Sequence, residues 1–96
     1  MQNAYEIVNL LRSSLPIIQQ KYPVSRFAVF GSVARGDNTE KSDVDIMVEL
    51  NGPIGWELVD LAMELEKLLG TKVDLVPKSG IKPRYFEHIK NDLIYV

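Results

Sequence analysis

Residues 43–50 read Asp-Val-Asp-Ile-Met-Val-Glu-Leu, and they alternate without a break. Val44, Ile46, Val48 and Leu50 fall on one side, while Asp43, Asp45, Met47 and Glu49 fall on the other. Side chains in a strand point to opposite faces in turn, so this run predicts a half-buried β-strand and fits no helix. It also places Asp43 and Asp45 on the same face, roughly 6.5–7 Å apart along the chain. Two carboxylates held in that way repel each other. A Mg²⁺ ion relieves the repulsion, since it is a hard cation that takes carboxylate oxygens together with phosphate oxygens and waters.

The remaining elements follow from period and punctuation. Asn3 and Glu6 resemble a capping box, and Ala4, Ile7, Val8, Leu11, Leu15, Ile18 and Tyr22 recur at helical spacing. Pro16 interrupts that pattern, so the helix either kinks there or gives way to a second short helix capped by Ser14. Residues 26–30 form an apolar run that suits a buried strand and ends at Gly31. Residues 56–69 predict an amphipathic helix, with Leu58, Leu61, Ala62, Leu65, Leu68 and Leu69 inward and Gly70 at its C-cap. Residues 71–76 predict a third strand stopped by Pro77. Pro83 opens a last helix with Phe86 and Ile89 inward, and residues 93–96 suit a short closing strand. The class is therefore α/β or α+β, with a small mixed sheet of three to four strands flanked by helices.

A chain of 96 residues holds one small domain, here expected over residues 1–96, and one site. Its net charge of −2 excludes a general basic grip on nucleic acid. With no cysteine, neither a disulfide framework nor a thiolate metal site is possible. The opening residues MQNAYEIV lack a basic region followed by an apolar run, and no stretch is apolar over the ~20 residues needed to span a bilayer. A soluble cytoplasmic protein is expected.

Asp74 is a third acidic candidate. It interrupts the apolar run Val73-Asp74-Leu75-Val76, where an unpaired buried carboxylate would be costly. If the 71–76 strand lies beside the 43–50 strand with polar faces aligned, Asp74 joins Asp43 and Asp45. Three such carboxylates suit divalent ions engaged in phosphoryl transfer. Gly31 and Ser32 sit where the first strand gives way to a short helix. Glycine allows close backbone approach to a phosphate, and the helix start offers free N–H groups. The spacing of Gly31 and Gly36 imitates a phosphate loop, but Asp37 stands where that loop needs lysine, so that reading fails.

In combination these residues resemble the minimal nucleotidyltransferases (MNT) of the DNA polymerase β superfamily. The signature G-S-x(10)-D-x-D appears as Gly31-Ser32, ten residues, then Asp43-Val44-Asp45, within GSVARGDNTEKSDVD. The resemblance extends over roughly residues 24 to 96. It implies that Asp43, Asp45 and Asp74 hold two Mg²⁺ ions, with Asp74 as general base. It implies that Gly31 and Ser32 hold the triphosphate of ATP. Arg35 is a further candidate for the nucleotide, or else a structural partner of Asp37 or Asp43. Lys41, Lys72, Lys78 and Arg84 are other candidates for the leaving pyrophosphate. His88 reads as an ordinary surface residue and Trp56 as a packing or interface residue. The implied role is the antitoxin of a HEPN/MNT toxin–antitoxin pair, transferring AMP to a tyrosine of the HEPN ribonuclease and forming a hetero-oligomer with it. The alternative is a binding module that neutralises its partner by contact alone.

Overall fold

A computed structural model describes residues 3–96. Helix α1 spans Ala4–Lys21, strand β1 Val24–Phe30, helix α2 Gly31–Arg35, strand β2 Val44–Leu50 and helix α3 Glu57–Leu69. Strand β3 (Val73–Pro77), a 3-10 turn (Lys78–Gly80), helix α4 (Pro83–Ile89) and strand β4 (Ile94–Tyr95) complete the order. The sheet runs β3-β2-β1-β4. Strand β1 is antiparallel to both β2 and β4, and β2 is parallel to β3. The result is the expected mixed α/β class with four strands.

Helix α1 begins as its cap residues demand, with Asn3 Oδ1 accepting the Glu6 N–H at 2.9 Å. It then runs unbroken past Pro16, so no second helix starts at Ser14. The proline removes one N–H, which costs a backbone bond. It stands on the exposed side, however, while Ile7, Val8, Leu11 and Ile18 keep one stripe buried across it. Ser13 and Ser14 donate their hydroxyls to the Asn9 and Leu11 carbonyls at 2.8 and 3.1 Å, hydrogen-bonding locally in the turn before the proline. Packing of the stripe outweighs the local break.

Strand β1 starts two residues before the predicted run because Val24 is buried and pairs with Leu50. Strand β3 is displaced the other way and includes Pro77 as its last residue. Helix α3 ends at Gly70 in the left-handed region, as predicted. Leu68, expected inward, stays 36% exposed.

The sheet has two unequal faces. On one, Val44, Ile46 and Val48 of β2 meet Phe27 and Val29 of β1 beneath α1 and α3. Among the described residues, fourteen buried side chains make up this cluster. On the other, Ala28, Phe30 and Met47 are buried with Ile89 of α4, and Phe86 and Val76 pack around them. Met47 is thus fully buried, although its strand neighbours on that face are acidic. Helix α4 packs on Ala28, Phe30 and Met47 of this face, while Asp45 beside them is half-buried and Asp43 and Asp74 are exposed.

Candidate active site

The site is assembled where β1 stops. Phe30 is extended, and Gly31 then takes φ +75°, a backbone conformation that a side chain strains against. This turn starts α2 immediately. A β-carbon on Gly31 would overlap Asp45 Oδ2 and come within 3.0 Å of its carboxyl carbon. The absent side chain is therefore the space that the Asp45 carboxylate occupies. Gly36 closes α2 in the left-handed region, and the Asp37 N–H donates back to the Ser32 carbonyl at 3.0 Å.

The loop that follows is tied to itself. The Ser42 N–H donates to the Thr39 carbonyl at 3.0 Å, and the Thr39 N–H donates to Ser42 Oγ at 2.9 Å. The Val44 N–H then donates to the Lys72 carbonyl at 3.0 Å, which sets the parallel pairing of β2 and β3. In that register Asp45 lies directly beside Asp74 on β3 and opposite Phe30 on β1. The expected alignment of polar faces is present. The reason given for Asp74 is not. β3 is an edge strand and Asp74 is exposed, so no burial cost attaches to it. Sequence pattern alone cannot distinguish an edge strand from a central one.

Asp45 is half-buried, whereas Asp43 and Asp74 are exposed. Burial pushes the Asp45 carboxyl above its ordinary range, and the negative charges of Asp74 and Asp43 push it the same way, while the Arg35 guanidinium pulls it back. Among the described residues no three acidic or histidine side chains are drawn together tightly enough to grip one ion. The donor set nonetheless fits a hard divalent cation: it consists of carboxylate oxygens on adjacent strands, and Asp45 is strained by like charge that a cation would offset.

Glu49, two pleats further along the same face, has a different fate. Arg26 Nε donates to it at 2.9 Å, and Lys78 Nζ lies 3.9 Å away. Arg26 also stacks over the Tyr95 ring at 3.9 Å. Lys78, a candidate for the leaving pyrophosphate, is thus directed at Glu49. Arg35 forms the pair with Asp37 that the sequence left open, at 3.1 Å, and none with Asp43. It also pairs with Asp92 at 3.0 Å, a partner that sequence reasoning missed. No local pattern signals a contact between residues 57 positions apart. Lys41, Lys72, Arg84 and His88 stand exposed, and Trp56 is 87% exposed ahead of α3. A cleft of about 510 Å³ backs onto the motif from the opposite face, lined in part by Val33, Thr39, Ser42 and Val44.

A model of the nucleotidyltransferase domain matches residues 11–96. A Methanocaldococcus jannaschii protein, provisionally named a protein adenylyltransferase, is 47% identical over 100 residues and is matched over 100% of both chains. The protein adenylyltransferase MntA of Thermococcus cleftensis is 36% identical over 92 residues, covering 95% of this chain and 93% of that one. Among solved structures, one described as a minimal nucleotidyltransferase superposes with a TM-score of 0.79 at 32% identity, over 97% and 95% of the two chains. A toxin–antitoxin structure with AMP-PNP gives 0.60 at 28% identity, over 84% of this chain and 61% of that one. The tri-AMPylated Shewanella oneidensis HEPN toxin in complex with MNT antitoxin gives 0.60 at 22% identity, over 95% and 66%, and so speaks for the fold alone.

Proposed function

The chain belongs to the nucleotidyltransferase-domain family and is a nucleotidyltransferase, and from that premise we propose that it transfers AMP from ATP to a tyrosine hydroxyl of a HEPN-type partner protein, acting as that partner's antitoxin. The observation that carries this reading is the register of Asp45 beside Asp74, next to the turn at Gly31. It gathers acidic side chains where the backbone permits close approach to phosphate. The naming of relatives as protein adenylyltransferases and one neighbour with AMP-PNP support ATP as the donor and a protein as the acceptor.

Asp43, Asp45 and Asp74 would hold Mg²⁺ on the open end of the face. Bound there, the cation would offset charge on the triphosphate and would make the acceptor hydroxyl more acidic. Gly31 makes room for the Asp45 carboxylate, and the backbone N–H groups at Ser32 and beyond would offer donors to phosphate oxygens. The acceptor oxygen attacks the α-phosphorus and a new P–O bond forms. The bond from that phosphorus to the bridging oxygen breaks, and pyrophosphate leaves with the electron pair. Asp74, exposed on the edge strand, would receive the hydroxyl proton of the acceptor.

The test is incubation with the HEPN partner, Mg²⁺ and ATP labelled at the α-phosphate. Label on the partner that disappears with Asp43→Asn/Asp45→Asn is the expected outcome. A tight complex with no label, equal in wild type and variant, would replace this reading with inhibition by contact alone.

A further inference from the structure

Resting on the nucleotidyltransferase reading, we infer that Arg35 is a positioning residue that fastens the motif helix to the turn between α4 and β4 through Asp92. Helix α2 has five residues, too few to hold itself by its own hydrogen bonds. It nevertheless carries Gly31 and Ser32, and Gly31 fixes the place of the Asp45 carboxylate. Val33 anchors the helix in the main core, and its last turn needs a separate hold.

Arg35, the last residue of α2, spreads its guanidinium between two carboxylates. Nε donates to Asp37 Oδ2 at 3.1 Å and Nη1 donates to Asp92 Oδ2 at 3.0 Å. The first contact closes the helix locally. The second reaches a fixed point. The Asp92 N–H donates to the Ile89 carbonyl at 2.9 Å, and Ile89 is buried with Ala28, Phe30 and Met47. Asp92 is therefore anchored to the apolar cluster beneath the site, and its side chain is only 21% exposed. An isolated surface pair contributes little, but one cation held by two carboxylates from separate segments restrains geometry in a way that a single pair does not. The planar fork of arginine suits this role, whereas a lysine would serve one carboxylate at a time. To contact the triphosphate instead, Arg35 would have to release both partners.

Two measurements test this on the full chain. One is transfer of labelled AMP with ATP varied; the other is amide hydrogen exchange of Gly36 and Asp37 in the nucleotide-free protein. Arg35→Gln and Asp92→Asn should each lower kcat about tenfold while moving KM for ATP less than about threefold, because misplacement of the reacting groups is the defect. The double variant should be no worse than Arg35→Gln alone, since Asp92 acts through Arg35. Arg35→Lys should not restore the rate. The Gly36 and Asp37 amides should exchange faster in Asp92→Asn, and at least as fast in Arg35→Gln, which also loses the Asp37 contact. A KM for ATP raised tenfold or more by Arg35→Gln, with Asp92→Asn at wild-type kcat and wild-type exchange, would overturn the inference in favour of a direct phosphate contact. If the wild-type protein transfers no AMP, the functional reading fails by itself. The exchange data then still decide: acceleration in Asp92→Asn supports the fastening role, and a wild-type rate in that variant refutes it.

Discussion

The two faces of strand β2 are made from one alternating run, yet they serve opposite ends. Toward α1 and α3, Val44, Ile46 and Val48 enter a cluster of fourteen buried residues. Toward α4, only Met47 is fully buried, and Asp43, Asp45 and Glu49 flank it. The first face spends its side chains on burial, which dominates folding. The second face is stabilised enough to stay in place and keeps like charges adjacent at its upper end. Stability and chemistry are separated by a single pleat.

Substitutions that act on one face alone test how complete the separation is. The largest effect should come from Asp43→Asn/Asp45→Asn, which should reduce AMP transfer by about 10³-fold or more, as expected when charge stabilisation of the transition state is removed. The thermal midpoint should be unchanged or slightly higher, because Asp45 is held above its ordinary carboxylate range by burial and by Asp74 and Asp43. A marked fall in the midpoint would show that the acidic group is structural. Next, Ile46→Ala on the opposite face should cost about 2–4 kcal/mol in urea unfolding. Transfer by the fraction that remains folded should stay near wild type; a disproportionate loss would show that the two faces are coupled. Gly31→Ala should cross the boundary. Its strained φ should cost about 1–2 kcal/mol. The displaced Asp45 carboxylate should lower kcat beyond what unfolding explains, measured with the variant fully folded. The smallest effect belongs to Met47→Leu, expected to cost under about 1.5 kcal/mol because volume is conserved. Near-normal transfer in that variant would assign the middle of the second face to packing.

Much of this was legible in the alternation of residues 43–50, which specifies both faces of β2 before any partner strand is known. The Gly-Ser step and its distance to Asp43 were equally local. What the sequence hid was set by partners far along the chain. Met47 looked like a member of a polar face because nothing near it announces that α4 will cover it. Asp74 was singled out on a cost of burial that does not exist, since only the strand order shows that β3 lies at the edge. Its alignment with Asp45 was a condition the pattern could state but not establish. Pro16 was overrated as a break, because the buried stripe on either side of it holds α1 together. Asp92 gave no signal, as its role exists only once the chain returns from α4.

The edge position of β3 has one more consequence. An exposed edge strand is ordinarily an invitation to polymerise, because its unpaired backbone groups can template another strand. Here the Val73 N–H is already taken by Glu66 Oε2 at 3.1 Å. At the other end Pro77 has no N–H to give, and charged Lys72 and Lys78 flank the strand. The border is blunted at both ends, with the side chain of Asp74 exposed between them. On the proposed reading, acidic chemistry on the rim of the sheet stays accessible to a bulky macromolecule, while both ends of that rim resist pairing with another strand.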